Sequence, residues 1–217
     1  MFRTNQKQIK IIVSLCGGII LLGMLALTAD DLPEDPLQRG KVLLDQFNYQ
    51  EAKNCFDMVI KENPQHKQAR YWRGTALVEL NNLEAAWNDF IKTLEIDPDY
   101  APGYVGKAMI HIKKEEYDPA WNNLEKASSL DENLAEAYYY KGLVHGYRDQ
   151  MDPAINQFKK CLEIQPKHAY SHYQLGLAYN EKNRPDLAVE HLTIFLELAP
   201  EAPEADRVRN LLNFLRR

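Results

Sequence analysis

Cysteine is scarce in this chain. Cys16, Cys55 and Cys161 are the only three in 217 residues, too few and too scattered for a disulfide framework or a zinc knuckle. Ten glycines and eleven prolines are spread rather than clustered, which excludes collagen-like and linker-type chains. Positive charge is short too. From Asp30 onward 31 acidic residues stand against 23 basic ones, a net of −8, so the body lacks the basic face that phosphate binding needs, and nucleic acid is excluded as a partner. No Gly-rich phosphate loop, nucleophile elbow, HExxH or paired-carboxylate pattern occurs. The chain is therefore not expected to be an enzyme or to bind a cofactor, a metal or a small-molecule substrate. What is present, 45% apolar and 26% charged residues, is enough for one or two modest domains with a proper core.

Charge is also missing from Ile11 to Ala29, 19 positions that would span roughly 28 Å as a helix, close to the hydrocarbon thickness of a bilayer. Arg3, Lys7 and Lys10 precede this run, and Asp30, Asp31, Glu34 and Asp35 follow it. The positive-inside bias then predicts a signal-anchor over 11–29 with residues 1–10 in the cytoplasm. Residues 30–32 become a short linker, and everything beyond becomes extracytoplasmic, periplasmic if the source is bacterial. The alternative is a secreted protein cleaved near Asp30, with Ala26, Thr28 and Ala29 as small residues before the cut.

The remainder is periodic. Gly40, Gly74, Ala108, Gly142 and Gly176 recur at one constant interval without an indel. Twelve positions after each stands an alanine: Ala52, Ala86, Ala120, Ala154 and Ala188. Sixteen after stands a large apolar residue, Phe56, Phe90, Leu124, Phe158 or Leu192, and twenty-four after stand Pro64, Pro98, Glu132, Pro166 and Pro200. Small columns let two helices approach closely while the Phe/Leu column fills the volume beside them. Proline ends the second helix and sets the turn into the next unit, with Asp131 and Asn133 forming the bend at Glu132. Asp35 and Pro36 suit the N-cap and first turn of the opening helix.

With these columns the sequence resembles the tetratricopeptide repeat family, with units at 33–66, 67–100, 101–134, 135–168 and 169–202, about 170 of 217 residues. The match is good at the eighth, twentieth, twenty-fourth and thirty-second positions. It is weak at the fourth, where the family's usual tryptophan is replaced by Pro36, Arg70, Tyr104, Tyr138 and His172. The resemblance implies an all-α, right-handed α-solenoid of five helix-turn-helix repeats, here preceded by the expected transmembrane helix. At 203–217, Val208, Leu211, Leu212 and Leu215 line one helical face, which reads as a capping helix that covers the last repeat.

His111 and His145 share one repeat position. Both replace an aromatic of the family, so packed, hydrogen-bonded rings are expected rather than a metal pair. Cys55 and Cys161 lie three hairpins apart, beyond bridging distance, with Cys161 expected as a buried thiol.

In this family the first helix of each unit lines the inner face of the superhelix. The fifth position carries Leu37, Tyr71, Val105, Tyr139 and Tyr173, and the ninth carries Lys41, Thr75, Met109, Leu143 and Leu177. Tyr147 and Tyr170, at the thirteenth and second positions, widen this apolar stripe. The partner-binding set implied by the resemblance is Tyr71, Met109, Tyr139, Leu143, Tyr147, Tyr170, Tyr173 and Leu177, facing an extended peptide or an amphipathic helix of a protein partner. The carboxylate clamp some members use on chaperone tails is broken here, since Trp72, Pro102 and Gly106 replace its polar residues. The expected function is a membrane-anchored scaffold for protein–protein interaction in envelope, secretion or pilus-type assembly. The alternative is a structural or regulatory subunit of a membrane enzyme or cofactor-insertion complex, held by its convex face or its span.

Overall fold

The structure, a computed structural model, describes residues 32–216. Among the described residues there is no strand. The helices are α1 (Pro36–Asp45), α2 (Tyr49–Glu62), α3 (Lys67–Glu79), α4 (Leu83–Ile96), α5 (Ala101–Lys113), α6 (Tyr117–Leu130), α7 (Ala135–Tyr147), α8 (Met151–Ile164), α9 (Ala169–Glu181), α10 (Pro185–Leu198) and α11 (Ala205–Leu215). The first ten pair as five hairpins, and from α4 onward each of these helices begins one full repeat after its counterpart. The first helix starts as its sequence dictates: the Asp35 carboxylate accepts from Gln38 N at 2.9 Å, and Pro36 takes the first turn.

The glycine column has a direct steric reason. A Cβ added at Gly40 would lie 2.5 Å from the Phe56 ring, at Gly74 2.6 Å from Phe90, at Gly142 2.4 Å from Phe158 and at Gly176 2.5 Å from Leu192 Cγ. Helix backbones separated only by a ring cannot admit a methyl group. Phe90 is held on two sides, since a Cβ at Gly106 in the next hairpin would come within 2.3 Å of it. Burial of these rings, together with Ala52, Ala86, Ala120, Ala154 and Ala188, ties each hairpin to itself and to its neighbour.

A second column with the same period governs the turn inside each hairpin. Phe47, Asn81, Glu115, Asp149 and Asn183 all have positive φ, from 56° to 62°. Each donates its N–H to a carbonyl three residues back while the following residue reaches five back, as in Glu115 N to Ile112 O (2.9 Å) and Glu116 N to His111 O (2.8 Å). This is the Schellman closure of a helix, and glycine fills none of the five sites.

Between hairpins the proline carbonyl gains a partner from the fourth position of the next unit. Arg70 Nε donates to Pro64 O (2.9 Å), Tyr104 Oη to Pro98 O (3.0 Å), and His172 Nε2 lies 3.1 Å from Pro166 O. Three of the five residues that depart from the family's tryptophan thus satisfy a carbonyl at the turn. Where Glu132 replaces proline the bend persists, because Asp131 Oδ1 accepts from Asn133 N (2.9 Å) as Asp97 does from Asp99 N (3.1 Å).

α11 ends at Leu215, one full repeat after the end of α9. Tyr170 donates to Glu204 Oε2 at 3.0 Å, and these two residues also stand one repeat apart. The terminal helix therefore occupies the place of a sixth first helix, with Val208 and Leu212 buried against the fifth hairpin.

One expectation is corrected. Among the described residues no helix is long and apolar enough to cross a membrane. The run at 11–29, on which the transmembrane helix, the cytoplasmic N-terminus and the extracytoplasmic placement rested, lies outside the described residues, as does the alternative cut near Asp30. The localisation read from the sequence is withdrawn.

Candidate functional site

The first helices α1, α3, α5 and α7 stand side by side along the solenoid, and α9 follows through its contact with α8. Of the eight residues expected on their shared face, Tyr71, Met109, Tyr139, Leu143, Tyr170 and Tyr173 are buried, and Tyr147 and Leu177 are half-buried. The fifth-position rings fill the wedge between their own second helix and the next turn. Tyr71, 5% exposed, lies 6.0 Å from the Phe90 ring and 6.1 Å from Tyr100. Tyr139, 2% exposed, lies 6.0 Å from Phe158 and 4.8 Å from His168. Tyr173, 3% exposed, lies 5.0 Å from Phe195, which Tyr170 also meets at 5.7 Å. Their contact area is spent within the chain, with edge and tilted geometries typical of aromatic cores. Burial pushes the Tyr139 phenol well above its ordinary range and raises the Tyr173 phenol as well.

The face that stays open differs from the predicted stripe. Tyr147 stacks on Tyr117 at 5.3 Å with their planes 14° apart, and both rings are half-buried. Trp72 on α3 is also half-buried, with Lys41 Nζ 5.6 Å above its ring. The sequence marks Trp72 twice, as the residue directly after the fifth position and as one of those that break the clamp. The carboxyls of Glu136 and Glu204, on or beside the same helices, are raised by burial.

The histidines are packing groups. His111 meets Trp87 edge-on at 5.4 Å and places Nδ1 2.7 Å from Glu116 Oε2, and His145 meets Trp121 at 4.8 Å and places Nδ1 2.6 Å from Gln150 Oε1. His168 and His172 are buried. His168 caps α9 by accepting from Ser171 N at 3.1 Å, and burial pulls its pKa down to about 4. His172 Nδ1 lies 2.9 Å from His191 Nδ1, a pairing across 19 residues that no local pattern announces. Among the described residues no group of three or more His, Cys, Asp or Glu could hold a metal ion. Cys55 and Cys161 are both free and buried, and burial raises the Cys161 thiol to about 12, so it is a poor nucleophile.

The electrostatic centre of the first two hairpins lies on the second-helix side. Arg73 forms a fork with Asp89, Nε to Oδ2 at 2.7 Å and Nη2 to Oδ1 at 2.6 Å, and its Nη1 donates to Asp57 Oδ1 at 2.7 Å. One guanidinium thus ties α2, α3 and α4 together. Such a bridge positions helices and offers no group for chemistry.

Three models of the tetratricopeptide repeat match the chain, over 37–101, 135–168 and 157–190. Among curated proteins none matches significantly. A thermophilic tetratricopeptide repeat protein of Thermus thermophilus is similar in fold, with a TM-score of 0.71 at 22% identity over 84% of this chain and 98% of that one. A repeat protein from Parabacteroides merdae gives 0.68 at 18% identity over 84% and 70%. The anaphase-promoting-complex (APC/C) hetero-tetramer Cut9–Hcn1 gives 0.69 at 19% identity over 83% of this chain and 35% of that one. At these identities the likeness concerns the fold. The repeat models match both halves of a chain whose hairpins keep one register throughout, and the chain belongs to the tetratricopeptide repeat family.

Proposed function

We propose that the chain is a protein-interaction scaffold that takes an extended peptide or an amphipathic helix along its first-helix face, with no catalytic step of its own. The observation that carries this reading is the half-buried apolar surface of Trp72, Tyr147 and Leu177, two of them aromatic, on a row of helices otherwise closed by core tyrosines. Half-open aromatic rings supply large contact area at low entropic cost. Tyr71, Tyr139, Tyr170, Tyr173, Met109 and Leu143 take part from beneath, as the floor that fixes where Tyr147 and Leu177 stand. The partner is a protein segment.

Peptides selected on the full chain from a random displayed library test this. Tyr147→Ala combined with Leu177→Ala should weaken the selected peptides at least tenfold while lowering thermal stability less than Tyr139→Ala does. Met58→Ala, at a residue 54% exposed on the second helix α2, should leave them unchanged. If Met58→Ala abolishes binding while the double variant retains it, the working face is the outer one, as for a subunit docked by its convex side.

A further inference from the structure

The place of α11 in the repeat register makes one exposed residue intelligible. Phe214 stands at the twelfth position of the unit and is 71% exposed. Its large apolar counterparts Leu44, Val78 and Ile112, at the same position on α1, α3 and α5, are 2%, 0% and 4% exposed. In those hairpins the second helix covers this position. Among the described residues no helix does so for α11. The eighth position repeats the contrast: Gly40, Gly74, Ala108, Gly142 and Gly176 are buried against the second helix, and Asn210 is exposed.

We infer that α11 presents an open second-helix site and that its occupant is an acidic amphipathic helix from a partner protein. The charge follows from the surface. α11 and its two caps carry Arg207, Arg209 and Arg216 against Asp206 and the buried Glu204, a basic excess on a body whose net charge is negative. Arg209 pairs with Asp206 at 2.7 Å, while Arg216 spends its hydrogen bond on the neutral Thr193 hydroxyl at 2.9 Å. Two copies of α11 placed face to face would oppose these arginines, so self-pairing works against the same charge. The shape follows from the five internal examples. Where the first helix has glycine, the second has Phe or Leu sixteen residues on, touching it. Asn210 fills that space from the α11 side, so the partner helix brings a small residue there and an apolar one over Phe214.

The α10 sequence, Pro185–Leu198, is a suitable probe, because it carries Asp186, Glu190 and Glu197 with a second-helix apolar stripe. A fluorescently labelled synthetic peptide of that sequence with Leu192→Ala is titrated with the full chain and followed by anisotropy. Saturable binding is expected, weakened at least tenfold by Phe214→Asp, kept within about threefold by Phe214→Leu, and weaker for the peptide that retains leucine. Because Phe214 is exposed, helical circular dichroism should be the same in all three proteins, which separates loss of docking from loss of fold. Absence of saturable binding, equal binding to the Phe214→Asp protein, or equal binding of a scrambled peptide overturns the proposal. So does a concentration-dependent dimer that Phe214→Asp abolishes without peptide, since the occupant would then be a second copy.

Discussion

Replacing Gly142 by alanine sets two helix effects against each other. Alanine is better than glycine in a helix interior by about 1 kcal/mol, so at an open site the change would stabilise α7. Here the new Cβ would stand 2.4 Å from Phe158 Cε1, 2.6 Å from Cδ1 and 2.8 Å from Cζ. Carbon atoms in contact sit at about 3.5–4.0 Å, so the ring must retreat by roughly 1 Å. Phe158 is 3% exposed and has no free direction, and overpacking of this kind costs about 1–3 kcal/mol. With no free direction the cost falls at about 2–3 kcal/mol, so it outweighs the propensity gain and a net loss of about 1–2 kcal/mol is expected. The third hairpin supplies the compensation, pairing Ala108 with Leu124 where the fourth pairs Gly142 with Phe158. Gly142→Ala together with Phe158→Leu should therefore be less destabilising than the sum of the two singles by about 1 kcal/mol, the signature of contacting residues. Guanidinium midpoints at unchanged m-value measure this. Hydrogen exchange on α7 and α8 locates it, since repeat arrays need not unfold in one step. A Gly142→Ala protein as stable as its parent, or a coupling of zero, would refute the close-contact account of the glycine column.

Two further outcomes follow from the turns and the buried histidines. Glu115 holds φ at 61°, where a side chain costs about 1–2 kcal/mol and glycine's extra entropy loss about 0.5–1; Glu115→Gly should raise the denaturation midpoint by roughly 0.5–1 kcal/mol equivalent, and Asn81→Gly by less, because asparagine tolerates this conformation. His168, drawn down to about 4 by burial, stays neutral in the folded chain while the unfolded chain gains a proton below about 6.5; its stabilisation is complete above that value and falls as pH drops towards 4, by up to about 3 kcal/mol. His168→Asn, which keeps a capping side chain for α9, should flatten the drop in stability between pH 7 and 4.5, and an unchanged slope would remove His168 as its source.

The fold was legible because its determinants are residue types. Glycine, alanine, phenylalanine and proline each answer one steric demand, and the demand recurs in every unit. The left-handed column was not legible for the opposite reason: Phe47, Asn81, Glu115, Asp149 and Asn183 share a backbone conformation and no side-chain chemistry. What imposes it is the Schellman closure, which any residue can supply at a cost. The fourth position was visible only as a mismatch until the proline carbonyls appeared opposite Arg70, Tyr104 and His172. Three side chains with nothing else in common each bring a donor to the same oxygen.

Depth was the quantity that spacing could not give for the candidate site. Helical periodicity assigns Tyr71, Tyr139 and Tyr173 to one face, but a ring on that face is open or closed according to its neighbours from other elements. Tyr139 is closed by Phe158 from its own second helix and by His168 from the turn into the next repeat, residues 19 and 29 positions away in sequence. Tyr147, on the same helix, stacks on the rim ring of Tyr117 and stays half-buried. Because Tyr139 contacts both its own hairpin and the next, the floor of the proposed groove is also the joint between repeats. Truncating such a ring removes core contacts along with any effect on a partner, a loss of about 3–5 kcal/mol for a buried aromatic. Half-buried residues such as Tyr147 and Leu177 therefore separate recognition from stability better than the buried tyrosines can.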